Sequence, residues 1–292
     1  MIIKLTNTSD QSLKIKAFLQ KRNFSHRLIS TIKKMGQLHV AEQKVTTLDL
    51  LTPGDVLTVR LPKEKSDAAV PFSYVPLEVI FEDDNWLVVN KPSGLSSVPG
   101  PSNRTDTMVN RVKGHLKKQG SQDLVPHIVT RLDRDTSGVM LIAKNRVAIS
   151  VLAPQIETHQ IEKKYVALAS GQFSVKEGFI DQPIGKAADG IHREIQADGQ
   201  QAQTKYRVLK QYDQYALVSV QLLTGRTHQI RVHLASLGHP LVGDTLYGGP
   251  TDLGITRQAL HAQSLKFTDP LTGKVHLFKT ELPEDMRRLQ YV

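Results

Sequence analysis

The densest group of reactive side chains lies in the run Arg131-Leu132-Asp133-Arg134-Asp135-Thr136-Ser137-Gly138, directly before the apolar stretch Val139-Met140-Leu141-Ile142. A carboxylate flanked by guanidinium groups is kept ionised, because nearby positive charge favours the anion. Such a carboxylate can attack an electrophilic carbon or take a proton. On residue types alone, a loop closed by its own salt bridges is the simpler reading. Asp135 stands two residues from Asp133, and on a strand both would share one face, as in a paired-carboxylate glycosidase. A loop imposes no such geometry, so Asp135 is read as a turn-stabilising residue.

A second run, Leu223-Thr224-Gly225-Arg226-Thr227-His228-Gln229-Ile230-Arg231-Val232-His233, opens what the spacing predicts to be a helix over 226–237, with Ile230, Leu234 and Leu237 on one face. A cation at a helix start opposes the helix dipole at a cost of ~0.3–1 kcal/mol. Arg226 is therefore expected to have a carboxylate partner. His228, His233 and His239 fit no metal-binding pattern, since the first two, five apart, do not share a helix face, and no metal site is expected. Nucleotide-binding glycine patterns and a G-x-S-x-G elbow are missing. The expectation is a protein that needs no cofactor and works with its own side chains.

These residues have to be positioned by an α+β domain. Val79-Ile80-Phe81 and 86–89 read as strands around the Asp83-Asp84-Asn85 turn, followed by strands at 138–142, 165–169, 204–209 and 215–223. Asn145 is placed to cap a helix toward Glu157, which Pro154 should kink or shorten. Strands joined by short turns, without a regular βαβ alternation, predict a mixed, mainly antiparallel sheet with flanking helices.

The first 61 residues read as a separate small module. A helix is expected over 13–22, and a second one between a Ser25 cap and a Gly36 stop, burying Leu28, Ile32 and Met35. Short alternating runs follow around a Pro53-Gly54-Asp55 turn. Residues 62–76, bracketed by Pro62, Pro71 and Pro76, read as a linker, and 77–292 as the main domain. The net charge is +10, and residues 1–65 hold 12 Lys+Arg against 5 Asp+Glu. Seven basic residues and no acidic one fall between Lys14 and Lys34. Lys14, Lys21, Arg22, Arg27, Lys33 and Lys34 form a surface able to displace counterions from phosphates. The 292-residue chain has no long apolar run and no cysteine, so no membrane span and no disulfide is expected, and a reducing cytoplasm fits.

The run 131–138 resembles the central motif of the RluA-like pseudouridine synthases, a His-Arg-Leu-Asp followed by Thr-Ser-Gly, with Thr130 standing where that family usually has His. Three further stretches agree in order. Val89-Asn90-Lys91-Pro92-Ser93-Gly94-Leu95 is similar to the Asn-Lys-Pro-x-Gly motif, and Glu162-Lys163-Lys164-Tyr165-Val166-Ala167 to the tyrosine motif. Leu223 through His233, with Gly238-His239-Pro240-Leu241-Val242-Gly243-Asp244 and Tyr247-Gly248-Gly249, is similar to the arginine motif and its turn. The N-terminal module, two basic helices followed by a hairpin, resembles an S4-like RNA-binding domain, with Ala41-Glu42 in place of the usual Asn-Gly turn.

The resemblance implies the pseudouridine synthase fold and an isomerase that breaks the N1–C1′ bond of a uridine and rejoins the base through C5. It assigns Asp133 as the catalytic carboxylate, Arg226 as the arginine that pairs with it, and Tyr165 as the ring beside the target base, whose oxygen could help remove the C5 proton. Arg131 and Arg134 are expected near the flipped strand or its phosphates, with a structural role beside the carboxylate as the alternative, and Lys91 is read as a phosphate contact or as part of its loop. The implied partner is RNA, large-subunit ribosomal RNA first and transfer RNA as the rival; no protein partner is implied, and a monomer is the default. Two other readings stand beside it. One is an RNA-binding protein without catalysis, such as a ribosome assembly factor. The other is an N-glycosylase, which free uracil among the products would reveal.

Overall fold

The computed structural model describes residues 1–101 and 103–289. The N-terminal part is an antiparallel four-stranded sheet ordered β1 (Ile2–Thr6), β6 (Val56–Arg60), β3 (Gln37–Val40), β4 (Gln43–Val45). Helices α1 (Ile15–Lys21) and α2 (His26–Met35) cover it, and a short ribbon pairs β2 (Leu13–Lys14) with β5 (Leu50–Leu51). The first helix starts at Ile15 rather than at residue 13, because Leu13 and Lys14 are spent on that ribbon. Ser25 caps α2 by accepting the Leu28 amide at 3.2 Å. Gly36 stops it in an extended conformation, where a side chain would strike the Ile32 carbonyl. The buried face of α2 is Leu28, Ile29 and Ile32; Met35 points to solvent, since the helix ends before its stripe turns inward again. Val147 and Val151 complete this small core, and the Ser25 amide donates to the Ser150 hydroxyl at 3.0 Å.

Residues 62–76 carry no regular element and lie along α3 (Met108–Lys118). Lys113 donates to the Asp67 carbonyl at 2.6 Å, and the Ser73 amide to the Asn110 carbonyl at 3.1 Å. Glu64 meets His127 at 2.9 Å and Arg146 at 3.5 Å.

The main sheet runs β12 (Glu177–Asp181), β15 (Gln203–Gln211), β16 (Tyr215–Leu222), β11 (Glu162–Ser170), β17 (Leu260–Thr268), β10 (Ser137–Ala143), β8 (Trp86–Lys91), β7 (Val79–Glu82). Beside this path, β18 (Val275–Lys279) pairs with β17 and β9 (His127–Ile128) with β10. Every pairing is antiparallel except that of β10 with β17. The mixed, mainly antiparallel α+β expectation holds. A two-stranded ribbon, β13 (Ile184–Lys186) with β14 (Arg193–Ile195), projects between β12 and β15.

Both sheet faces are covered. On β8, Leu87 and Val89 pack with α3 and α5 (Gln229–Ser236), while Trp86 and Val88 pack with α4 (Arg146–Glu157). Period-two side chains on a doubly covered strand must be apolar on both sides, which is why 86–89 and 139–143 read as unbroken apolar runs. The capping side chain of Asn145 accepts the Val147 and Ala148 amides, and α4 continues through Pro154 to Glu157, so the expected shortening does not occur. The C-terminal helix α6 (Glu284–Arg288) buries Met286. Among the described residues no helix is long and apolar enough to cross a membrane.

Candidate active site

The loop 131–136 enters β10 at the centre of the sheet, and it is fastened on all sides. Ser97 accepts the Leu132 amide at 3.0 Å and donates to the Leu132 carbonyl at 2.6 Å. The Thr136 amide returns to the Asp133 carbonyl at 3.2 Å, and Arg257 donates to the Asp135 carbonyl at 3.0 Å. At Gly138, φ is +115° and an added Cβ would lie 2.2 Å from the Ala262 carbonyl oxygen, so only glycine lets β10 lie this close to β17. Loop residues held this way keep a reactive side chain in one geometry.

Of the two readings of Lys91, a phosphate contact or a part of its loop, the buried position fits the second. Its side chain is fully buried, donating to the carbonyls of Pro92 at 2.8 Å, Leu95 at 2.6 Å and Arg134 at 2.9 Å. It is a strut under the loop 131–136, out of reach of a phosphate. Burial pushes its ammonium down to about 7, with Asp135 and Asp133 pulling the other way. An unfolded lysine keeps its proton to about 10.5. Between these values the unfolded chain binds more protons than the native one, so this group makes stability rise with pH, by up to ~1.4 kcal/mol per unit. Urea titrations at about pH 7 and about pH 9 should show this gain in the wild type and not in Lys91→Met. Equal gains in both would contradict it.

Asp133, partly exposed, faces a cleft of about 690 Å³. Arg131, Arg134, Lys163, Tyr165, Arg226 and Arg231 are among the residues that line it. The guanidinium that reaches Asp133 belongs to Arg231, with Nη1 3.5 Å from Oδ2. Arg231 is aimed by Asp244, which takes Nε at 2.7 Å and Nη2 at 2.8 Å and is itself 1% exposed. The Tyr247 ring lies beneath, 4.9 Å from the guanidinium carbon. Burial alone would lower the Arg231 pKa, but the Asp244 hydrogen bonds and the Asp244 and Asp133 charges raise it, so its charge is permanent. At 3.5 Å the contact with Asp133 is long for a hydrogen bond, and such contacts shorten when a substrate excludes water.

Arg226 does not make the expected pair. Its Nε donates to the Gln201 carbonyl at 2.9 Å. The physical reason is local: His228 adopts a left-handed φ of 57°, which delays the helix to Gln229 and leaves Arg226 in the preceding loop. The Gln229 side chain organises that loop, accepting the Arg226 amide and the Thr224 hydroxyl, each at 2.9 Å. The cation near the helix start is thus Arg231. The dipole argument applied to Arg226 belongs to Arg231, once the helix start is moved to Gln229.

Tyr165 is buried on β11 with its ring at the cleft. Burial, and then the Asp133 charge, push its phenol far above the ordinary value, so it stays protonated. Arg131 is exposed at the cleft mouth, and Arg134 is drawn to Asp135 at 3.1 Å. Thr130 is buried and accepts the Leu141 amide at 2.9 Å, tying the approach of the loop to β10. In the N-terminal part, Lys14, Lys21, Arg27, Lys33 and Lys34 are exposed. Arg22 is engaged internally, donating to the Thr6 carbonyl at 2.6 Å and covering the Phe18 ring.

Residues 85–236, just over half of the chain, match the family described as RNA pseudouridylate synthase. The uncharacterized RNA pseudouridine synthase YjbO of Bacillus subtilis (strain 168) is 41% identical over 277 residues, covering 94% of this chain and 97% of that protein. Ribosomal large subunit pseudouridine synthase D of Nitrosomonas europaea is 38% identical over 247 residues, covering 81% of this chain and 71% of that one. Among solved structures, human RNA Pseudouridylate Synthase Domain Containing 1 superposes with a TM-score of 0.58 at 26% identity, over 72% of this chain and 85% of that one. Human RNA Pseudouridylate Synthase Domain Containing 4 shares the fold with a TM-score of 0.61 at 24% identity, over 73% of this chain and 91% of that one. The loop–sheet–helix arrangement that presents Asp133 to an open cleft therefore sits in a member of the RNA pseudouridylate synthase family, and the protein is an isomerase that acts on RNA.

Proposed function

We propose that the protein converts specific uridines of large-subunit ribosomal RNA to pseudouridine, with Asp133 as the catalytic residue. The observation that carries this reading is a single partly exposed carboxylate, fastened through its backbone and backed by a permanent cation, facing a cleft that Tyr165 also lines. The base has to leave its stack to reach that carboxylate, which costs a few kcal/mol and least in loops. Asp133 then acts at the glycosidic region, by bonding to sugar or base or by taking the ribose 2′ proton. The N1–C1′ bond breaks, C5 bonds to C1′, C5 loses a proton and N1 gains one. Tyr165 serves as a stacking surface for uracil. As a protonated phenol it is a poor base, so removal of the C5 proton falls to another acceptor.

The N-terminal module, residues 1–61, is read as an S4-like RNA-binding domain joined through residues 62–76 to the catalytic domain 77–292. Its exposed Lys14, Lys21, Arg27, Lys33 and Lys34 would meet phosphates. The ribosomal substrate is supported by the name of the Nitrosomonas europaea relative, and transfer RNA is the alternative. Pseudouridine mapping in cells with and without the gene tests this. We expect losses confined to large-subunit ribosomal RNA; losses confined to transfer RNA would overturn the substrate, and free uracil among the products would overturn the isomerisation.

A further inference from the structure

Arg226, released from Asp133, stands on the wall between two cavities. The second, of about 420 Å³, shares Gln200, Arg226 and Thr227 with the catalytic cleft and is otherwise lined by the β13–β14 ribbon and the turn after it. We propose that Lys186, Arg193 and Arg226 form a phosphate-binding subsite in this cavity, seating the backbone of the RNA strand that flanks the uridine held at Asp133.

The first argument is charge placement. Lys186 and Arg193 are directly opposed Cα partners across the ribbon. Like charges in that register destabilise a strand pair. Among the described residues, no ion pair includes Lys186, Arg193 or Arg226. The one acid on the cavity wall is Asp198, so the lining keeps an excess of positive charge. An anion between the cations relieves their repulsion.

The second argument is available donors. Arg226 uses only its Nε, on the Gln201 carbonyl, leaving both Nη groups for a ligand. Arg193 uses Nη1 on the His192 carbonyl at 2.9 Å and, weakly, on that of Ile191 at 3.4 Å, leaving Nε and Nη2. A guanidinium with free forked donors suits a phosphate.

The third is pre-organisation. The ribbon is tied to the 3₁₀ turn Thr245–Tyr247 by the Arg193 amide donating to the Tyr247 hydroxyl at 3.0 Å, and by His192 Nε2 meeting the Leu246 carbonyl at 3.1 Å. Tyr247 Oη also meets His228 Nδ1 at 2.8 Å, and its ring supports Arg231. The subsite and the Asp133 cleft are therefore joined by one shared strut, and a strand crossing Arg226 can occupy both.

The test uses a short fluorescein-labelled single-stranded oligouridylate and fluorescence anisotropy over a salt series. For single strands, the slope of log affinity against log salt flattens by ~0.7 for each phosphate that is no longer neutralised. The double variant Lys186→Gln/Arg193→Gln should weaken binding several-fold at low salt and flatten the slope by about that amount. Asp198→Asn, which removes the lone acid, should tighten binding. Lys176→Gln, an exposed lysine outside both cavities, serves as the reference for removal of a surface charge. A double variant whose affinity and slope match those of Lys176→Gln overturns the proposal, as does weaker binding by Asp198→Asn. A thermal melt of each variant shows whether it is folded. If the double variant is not, the opposite-sign result from Asp198→Asn decides.

Discussion

Asp133→Asn is expected to lower the rate of pseudouridine formation at least ~10³-fold while RNA is still bound. The asparagine is nearly the same shape, and the backbone bonds that fix the loop do not involve the side chain at 133: Ser97 to Leu132, Lys91 to Arg134 and Arg257 to Asp135 all remain. What disappears is the anion. An amide cannot attack carbon or accept a proton at neutral pH, so the chemical step fails while the cleft keeps its shape. Single-turnover release of tritium from uridine C5 in ribosomal RNA, with a parallel filter-binding measurement, separates the two. A variant that releases tritium at the wild-type rate would remove Asp133 from the chemistry.

Arg231→Met is expected to damage both stability and rate. Asp244 is left buried without its bidentate partner, and breaking a buried pair from one side costs ~3–5 kcal/mol. Adding Asp244→Asn should recover much of the stability, because the uncompensated charge is gone. It should not recover the rate, because Asp133 still lacks the cation that holds it; removing one such preorganised electrostatic partner costs ~10²–10³-fold. Arg226→Gln should behave differently, raising KM more than it lowers kcat, since its guanidinium lies on the wall of both cavities and bonds to Gln201 rather than to Asp133. Urea unfolding and steady-state kinetics on the wild type, Arg231→Met, Asp244→Asn and their double variant, read as a cycle, check this, with Arg226→Gln measured alongside. A rate restored along with stability in the Arg231→Met/Asp244→Asn double variant would contradict it.

The strands and caps are legible in the sequence because they depend on local chemistry. The turn at Asp83, the caps at Ser25 and Asn145 and the apolar runs of β8 and β10 are set by neighbours in sequence. The pairing of Arg231 with Asp133 is not, because it depends on one backbone torsion, the left-handed His228, which shifts the helix start from 226 to 229. For Lys91 the sequence leaves a phosphate contact and a loop role open, because composition alone does not show whether a lysine beside a proline lies over or under a loop. The Ala41-Glu42 turn shows the converse. Both residues take positive φ, 44° and 68°, so the tight hairpin forms without the Asn-Gly that usually marks it. Tertiary contact between β3 and β6 holds that turn where local preference would not.

A structure of Asp133→Asn bound to an RNA substrate would test the account at its centre. The target nucleotide should be rotated out of its stack, with C1′ beside residue 133, the uracil against the Tyr165 ring and Arg231 behind. A uridine still stacked in the RNA, or seated outside this cleft, would contradict it.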